Sequence, residues 1–223
     1  PDLTLFAALL PRLAIGPGNL EVQLRLSGTI GAPGLSGNAT LQAEQVEVGS
    51  AGIQLKEVRL KGESQDGRSW RLSGATTSGG GKLAVEGSAE LDPARGWPAR
   101  LRVRGERFEA VNLRDYWALV SPDLTLTLDK ERLTVEGELR VPEAQIRPRR
   151  GGGEVVTVSR DAVIVGGEAE QEKAALRAFY ARVRLILGDK VEFSGFGLRS
   201  RIAGELSIED APDSVVKGNG ELR

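Results

Sequence analysis

The chain has 223 residues, 30 Lys plus Arg against 31 Asp plus Glu for a net charge of −1, and 40% hydrophobic but only 4% aromatic residues. It contains no Cys and no His, which excludes a disulfide framework, the usual zinc ligand sets and nucleophile–histidine catalysis. Charge this balanced and interspersed offers no global field for nucleic acid.

No apolar run reaches the ~20 residues that span a bilayer as a helix. The chain begins at Pro1 with no signal peptide, so a longer protein with its targeting segment elsewhere is expected. Residues 1–19 read as a short helix ending near Pro11, as a strand and loop, or as an end cap. From Leu20 the pattern is period two: Leu20, Val22, Leu24 and Leu26 alternate with Glu21, Gln23, Arg25 and Ser27 up to Gly28. Successive side chains of a strand point to opposite faces, so this makes one apolar and one polar face. Gly31, Ala32, Pro33 and Gly34 carry turn chemistry.

Leu41, Val46, Val48, Ile53, Leu55, Val58 and Leu60 continue in short pieces, and parity slips at Gln45–Val46 and Lys56–Glu57 predict turns or bulges. Trp70 and Leu72 open the next strand, glycines 79 to 81 make a turn, and Leu83 and Val85 resume the alternation with Gly87 in an apolar slot. Leu101 and Val103 lie between Arg100, Arg102 and Arg104, which reads as a solvated edge strand rather than a phosphate contact. Residues 108–120 are the least strand-like, with Tyr116 and Trp117 in a short helix or an irregular corner.

Residues 121–148 hold the clearest unit. Leu124, Leu126 and Leu128 alternate with polar residues, Lys130 and Glu131 turn the chain, and Leu133, Val135, Leu139 and Val141 alternate again. Gly137 occupies an apolar slot, which marks a bend or a close backbone approach, and Pro142 is expected to stop the ladder on one edge. Arg147, Arg149 and Arg150 precede three glycines, so 150–155 reads as a flexible loop, as does 166–177 with its EAEQEK charge run. Phe179, Ala181, Val183, Leu185 and Leu187 form the longest strand signal. Gly188, Asp189 and Lys190 read as a hairpin turn before Val191 and Phe193. Phe196, Leu198, Ile202, Leu206 and Ile208 share one parity, and a last strand lies within 215–222.

About fifteen strands at ~4.8 Å spacing would extend ~70 Å in one sheet. Two packed sheets would cover each other's apolar faces, whereas a single sheet curled along its length would leave a trough. The scarcity of rings favours the second. The expectation is therefore all-β: residues 1–223 as one continuous segment, an elongated, curled, antiparallel or mixed β-sheet with a hydrophobic groove. Its lining would be Val22, Leu24, Leu26, Leu83, Val85, Leu124, Leu126, Leu128, Leu133, Val135, Leu139, Val183, Leu185, Leu187, Phe193, Phe196, Leu198, Ile202 and Leu206. The alternative is a solenoid or sandwich with a closed aliphatic core. No catalytic residue, metal ligand or cofactor is assigned. The near P-loop GATTSGGGKL lacks Gly at Thr76 and Ser or Thr at Leu83. Carboxylates such as Glu136 and Glu138 share the wet face of a strand.

Three strings resemble a known family: SPDLTLTLDKERLTVEGELRVPEAQIRP at 121–148, VSRDAVIVGGE at 158–168 and VRLILGDKVEFSGFGLRSRIAGELSI at 183–208. In order and spacing they are similar to the C-terminal region of the TamB family of the translocation and assembly module. The resemblance implies a β-taco related to AsmA-like and bridge-type lipid-transfer proteins, and a place in the periplasm as part of an inner-membrane-anchored protein. It implies phospholipid acyl chains as cargo between the two membranes. The other role it implies is a chaperone-like scaffold that shields or pairs with strands of nascent outer-membrane β-barrel proteins. It also implies a TamA-type outer-membrane barrel as partner, met through residues C-terminal to Arg223.

Overall fold

The structure is a computed structural model describing residues 13–29, 32–148, 178–212 and 217–223, and every regular element among them is a strand. Fourteen strands form one sheet. The first six are β1 (Leu13–Ile15), β2 (Gly18–Thr29), β3 (Ala32–Val48), β4 (Ile53–Ser64), β5 (Ser69–Ser78) and β6 (Gly81–Glu90). Next come β7 (Ala99–Glu106), β8 (Phe108–Asn112), β9 (Tyr116–Leu128) and β10 (Arg132–Ile146). The last four are β11 (Ala178–Gly195), β12 (Leu198–Arg201), β13 (Gly204–Asp210) and β14 (Lys217–Leu222). Sheet order follows chain order almost throughout, so local hairpins supply most of the pairing. The exception is β10 with β11, which run parallel and make the sheet mixed. Among the described residues the sheet is curled and does not close, with β2 and β14 each paired on one side only. This is the expected single curled sheet, not a two-sheet sandwich.

Turn chemistry sets the hairpins. Asp66 Oδ1 accepts the N–H groups of Arg68 at 2.9 Å and Ser69 at 2.7 Å, closing β4 onto β5. Gly79 and Gly80 have φ of 57° and 83°, the two-residue turn whose twist matches its strands, between the paired Ser78 and Gly81. Asp129 Oδ1 accepts from Glu131 at 3.0 Å and Arg132 at 2.9 Å, closing β9 onto β10 where the sequence places the turn.

Several expectations change. Residues 13–15 are strand, in keeping with the strand-and-loop alternative, and β2 starts at Gly18, two residues before the alternation is read to begin. Residues 1–12, the loops 150–155 and 166–177, and the string at 158–168 lie outside the described residues. Ala32, Pro33 and Gly34 already belong to β3, opposite Thr29, Gly28 and Ser27. The strand holding Leu101 and Val103 is not an edge: β7 pairs with both β6 and β9. Its arginines tolerate that position because Asp123 on β9 takes a two-pronged contact from Arg102, 3.0 Å each. Residues 108–112 form β8 and 116–120 the start of β9, joined by a bend at 113–115, with Tyr116 and Trp117 in extended conformation. Pro142 does not stop β10, which runs on to Ile146. Nor do Gly188, Asp189 and Lys190 reverse the chain, because β11 continues through them still parallel to β10.

The last two corrections share a cause. Pro142 lies where β10 shifts register against both neighbours, between Arg140 and Glu143 on one side and Val141 and Glu143 on the other. Similar irregularities recur on other strands, while the β5–β6 and β6–β7 ladders run unbroken. Glu57 has φ of 51° where β4 shifts against β5, and β3 slips parity beside it, as the sequence predicts. The break between β1 and β2 is bridged by Gly16 N–H to Gln45 O at 2.8 Å and Glu44 N–H to Pro17 O at 3.0 Å. Arg107, with φ of 47°, separates β7 from β8, and its N–H reaches Ser121 Oγ at 2.9 Å. Ile202, between β12 and β13, donates to Val191 O at 2.9 Å. A bulge bends its strand and increases local twist. Aligned across neighbouring strands, bulges crease the sheet as a unit. The buried hydrophobic residues follow this crease: Ala43, Val46, Ile53, Val58, Phe108, Leu119, Ala144 and Val191. The core is thus a belt along the fold line, and the rest of the apolar face is not packed to the same degree.

Candidate functional site

Register carries the aliphatic residues of each strand into rows that cross the sheet at right angles to the strands. One row reads Leu20, Leu41, Leu60, Gly74, Val85, Val103, Leu124, Gly137, Val183, Ile208 and Gly218, one residue from each of eleven strands. Beside it run Val22, Ala39, Gly62, Leu72, Gly87, Leu101, Leu126, Val135 and Ala181, ending at Asp210. At ~4.8 Å per strand the longer row measures on the order of 50 Å.

The expected lining residues largely fall on these rows or their neighbours. Leu24 and Leu26 oppose Gly37 and Leu35, Leu83 opposes Gly105, and Leu128 faces Leu133. Leu139 aligns with Leu185 and Leu206, and Val141 with Leu187. Phe193 lies beyond the crease, opposite Ile146 and Ser200. Ile202 sits in the break between β12 and β13, and Leu198 opens β12. Phe196 is not in a strand at all but in the β11–β12 turn, with φ of 55°. None of the expected residues is buried. Val22, Leu24 and Leu60 are 45%, 46% and 48% exposed, so the face is open to its surroundings along the β2–β4 stretch. The rows also contain Leu20, Leu41, Leu60, Leu72, Leu101, Val103 and Ile208, which the sequence reading places in strands but leaves out of the lining. Their period-two signal is present, but the arginines flanking Leu101 and Val103 mimic an edge.

Glycine recurs opposite leucine on this face: Gly37 with Leu24, Gly87 with Leu101, Gly137 with Leu124, Gly220 with Leu206 and Gly204 with Leu222. In each pair an added Cβ would lie 2.0 Å, or 2.2 Å at Gly137, from the carbonyl oxygen of the residue preceding the leucine. The backbones therefore approach more closely than any side chain permits, which is what the empty slots at Gly87 and Gly137 suggest in the sequence. At Gly137 the φ of 131° adds a conformation that only glycine adopts readily.

The opposite face is charged, with signs that alternate across strands. Register brings Glu86, Arg102, Thr125, Glu136, Arg182, Glu209 and Lys217 into one row. Glu138 bonds Arg140 at 2.6 Å, and Arg184 donates to Glu205. The Arg102 contact holds the Asp123 carboxyl below the usual carboxylate range. Backbone N–H groups of Ser69 and Arg68 bring Asp66 down to about 2. These exposed groups keep one face wet. Among the described residues no group of three or more His, Cys, Asp or Glu is placed to hold a metal ion. No helix there is long and apolar enough to cross a membrane.

Fold and faces together define a class: an open, one-sheet β-scaffold with an aliphatic side and an ionic side, extended by adding strands. Residues 71–223 match the family described as TamB C-terminal domain, and the chain belongs to that family. A curated relative, the translocation and assembly module subunit TamB of Haemophilus influenzae, is 22% identical over 204 residues, covering 86% of this chain. The chain spans 16% of that relative's length. No solved structure matches.

Proposed function

We propose that this chain is one stretch of a periplasmic groove that carries phospholipid acyl chains between the inner and outer membranes, within a translocation and assembly module whose outer-membrane partner is a TamA-type barrel. The observation that carries the reading is the aliphatic face, whose longest row crosses eleven strands without a charged residue. Hydrocarbon needs no polar recognition, since each methylene kept from water contributes roughly 0.8 kcal/mol. Movement requires only that neighbouring positions be similar in energy, and rows of Leu, Val and Gly supply that. An acyl chain is about half the ~30 Å hydrocarbon core of a bilayer. A row on the order of 50 Å therefore offers several overlapping positions.

The sheet edges favour a second reading. β14 is exposed at every residue and, among the described residues, paired on one side only, so it presents backbone donors and acceptors that no described strand takes up. Strand addition there would let the chain chaperone an unfolded barrel strand. Leu126→Asp, Val135→Asp and Leu185→Asp separate the two. On the transport reading, each folded variant loses bound phospholipid in native mass spectrometry. Unchanged occupancy removes the conduit and leaves the edge.

A further inference from the structure

The β11–β12 hairpin has features that the aliphatic rows do not explain. Its turn holds Phe196 at φ of 55° and Gly197 at 84°. A bulky aromatic in the left-handed region is strained, and such outliers cluster at functional sites. The ring is not compensated by burial: Phe196 is 64% exposed and Leu198 59%.

Basic residues gather at the same place. Arg147, Arg199 and Arg201, with Ser194 and Ser200, line a cavity of about 640 Å³ together with Glu192 and Phe193. Arg199 stands opposite Ser194, and Arg201 opposite Glu192. Arg201 shares its charge with Glu192 at 3.5 Å. Arg147 and Arg199 have no carboxylate within ion-pair distance among the described residues, whereas Arg102, Arg140, Arg182 and Arg184 each have one. The tip thus joins two exposed apolar side chains to a local positive excess, on a chain whose net charge is only −1. An extended polyanion would meet the carboxylates alternating across the sheet. A surface of phosphates over hydrocarbon matches both parts of the tip.

We propose that this hairpin tip is a membrane-interface element. Phe196 and Leu198 enter the headgroup layer of a bilayer containing anionic phospholipid, and Arg147, Arg199 and Arg201 meet its phosphates. The inference goes beyond the groove reading and does not need the aliphatic rows to carry cargo.

Sedimentation of the whole chain with vesicles of phosphatidylglycerol and phosphatidylcholine, against phosphatidylcholine alone, tests it. Binding to the anionic vesicles is expected, weakening at high salt. Each arginine near an anionic surface is worth about fivefold in partitioning, so Arg147→Gln with Arg199→Gln should lower it roughly 25-fold. Phe196→Ser should lower it too, and the arginine pair keeps the test alive if that variant misfolds. Leu126→Asp should lose groove lipid while still partitioning to vesicles, which keeps failure of the two readings distinguishable. Equal binding to neutral vesicles, or unchanged binding by the arginine double variant, overturns the proposal. So does full competition by soluble glycerophosphate at millimolar concentration, which would mark a phosphate pocket instead.

Discussion

Replacing Gly137 by Ala probes the geometry that brings β9 and β10 together. The new Cβ would lie 2.2 Å from Asp123 O, well inside contact distance, on a backbone whose φ is 131°. Holding a residue with a side chain in a region reserved for glycine costs about 1–3 kcal/mol. Forcing apart a packed contact adds about 1–3 kcal/mol. The β9 backbone cannot retreat freely, because on its other side it is paired with β7 at Val103–Leu124 and Arg104–Asp123. The sum, roughly 2–6 kcal/mol, is a large part of a typical domain's stability. With a urea m-value of about 2 kcal/mol/M, the midpoint should fall by roughly 1–3 M at unchanged slope. Gly49→Ala is the control: nothing lies within 4 Å of its added Cβ, so its midpoint should stay near that of the parent chain. Equal midpoints for the two variants, followed by circular dichroism, would refute the close-approach argument.

Other outcomes follow from the same geometry. Phe108→Ala, at a buried site on the crease, should cost about 3–5 kcal/mol in urea unfolding, whereas Leu60→Ala on the open face should cost about 1 kcal/mol or less. Comparable costs would place the core on the face instead. Asp66, lowered from 3.8 to about 2 by the N–H groups of Ser69 and Arg68, stabilises its turn above the ordinary carboxylate range and loses that contribution as pH falls from about 4 through about 2. The amide shifts of Arg68 and Ser69 should titrate in that window by NMR and stop doing so in Asp66→Asn; a midpoint near 4 would contradict the assignment. A double-mutant cycle on Arg102 and Asp123 should give a weakly favourable coupling that shrinks in molar salt, and a salt-insensitive coupling would mean the pair is not solvent-screened.

Strand existence was legible because one-sided burial writes itself as period two, as in Leu124, Leu126 and Leu128. So were the two glycine slots on the apolar face, and the parity slips at Gln45–Val46 and Lys56–Glu57. Pro142 and Gly188–Asp189 misled for a physical reason. Proline and a Gly-Asp pair are chemically suited to turns and bulges alike, and only the register of neighbouring strands decides between them. Here Ala144 opposite Val191 carries the ladder past both. The edge reading of β7 failed in a related way, since unpaired-looking arginines found their carboxylate on a strand more than fifteen residues later in the chain. The apolar face itself could be listed from sequence, but its continuity from Leu20 to Gly218 could not, because that depends on pairing that no single strand encodes.

A photoreactive side chain placed at each residue from Leu124 to Leu128 in turn, illuminated in the presence of phospholipid, tests the central claim most directly. Crosslinking to lipid should alternate along β9, strong at 124, 126 and 128 and absent at 125 and 127. Uniform labelling at all five positions, or none at the even ones in a folded chain, would contradict an aliphatic face that holds hydrocarbon.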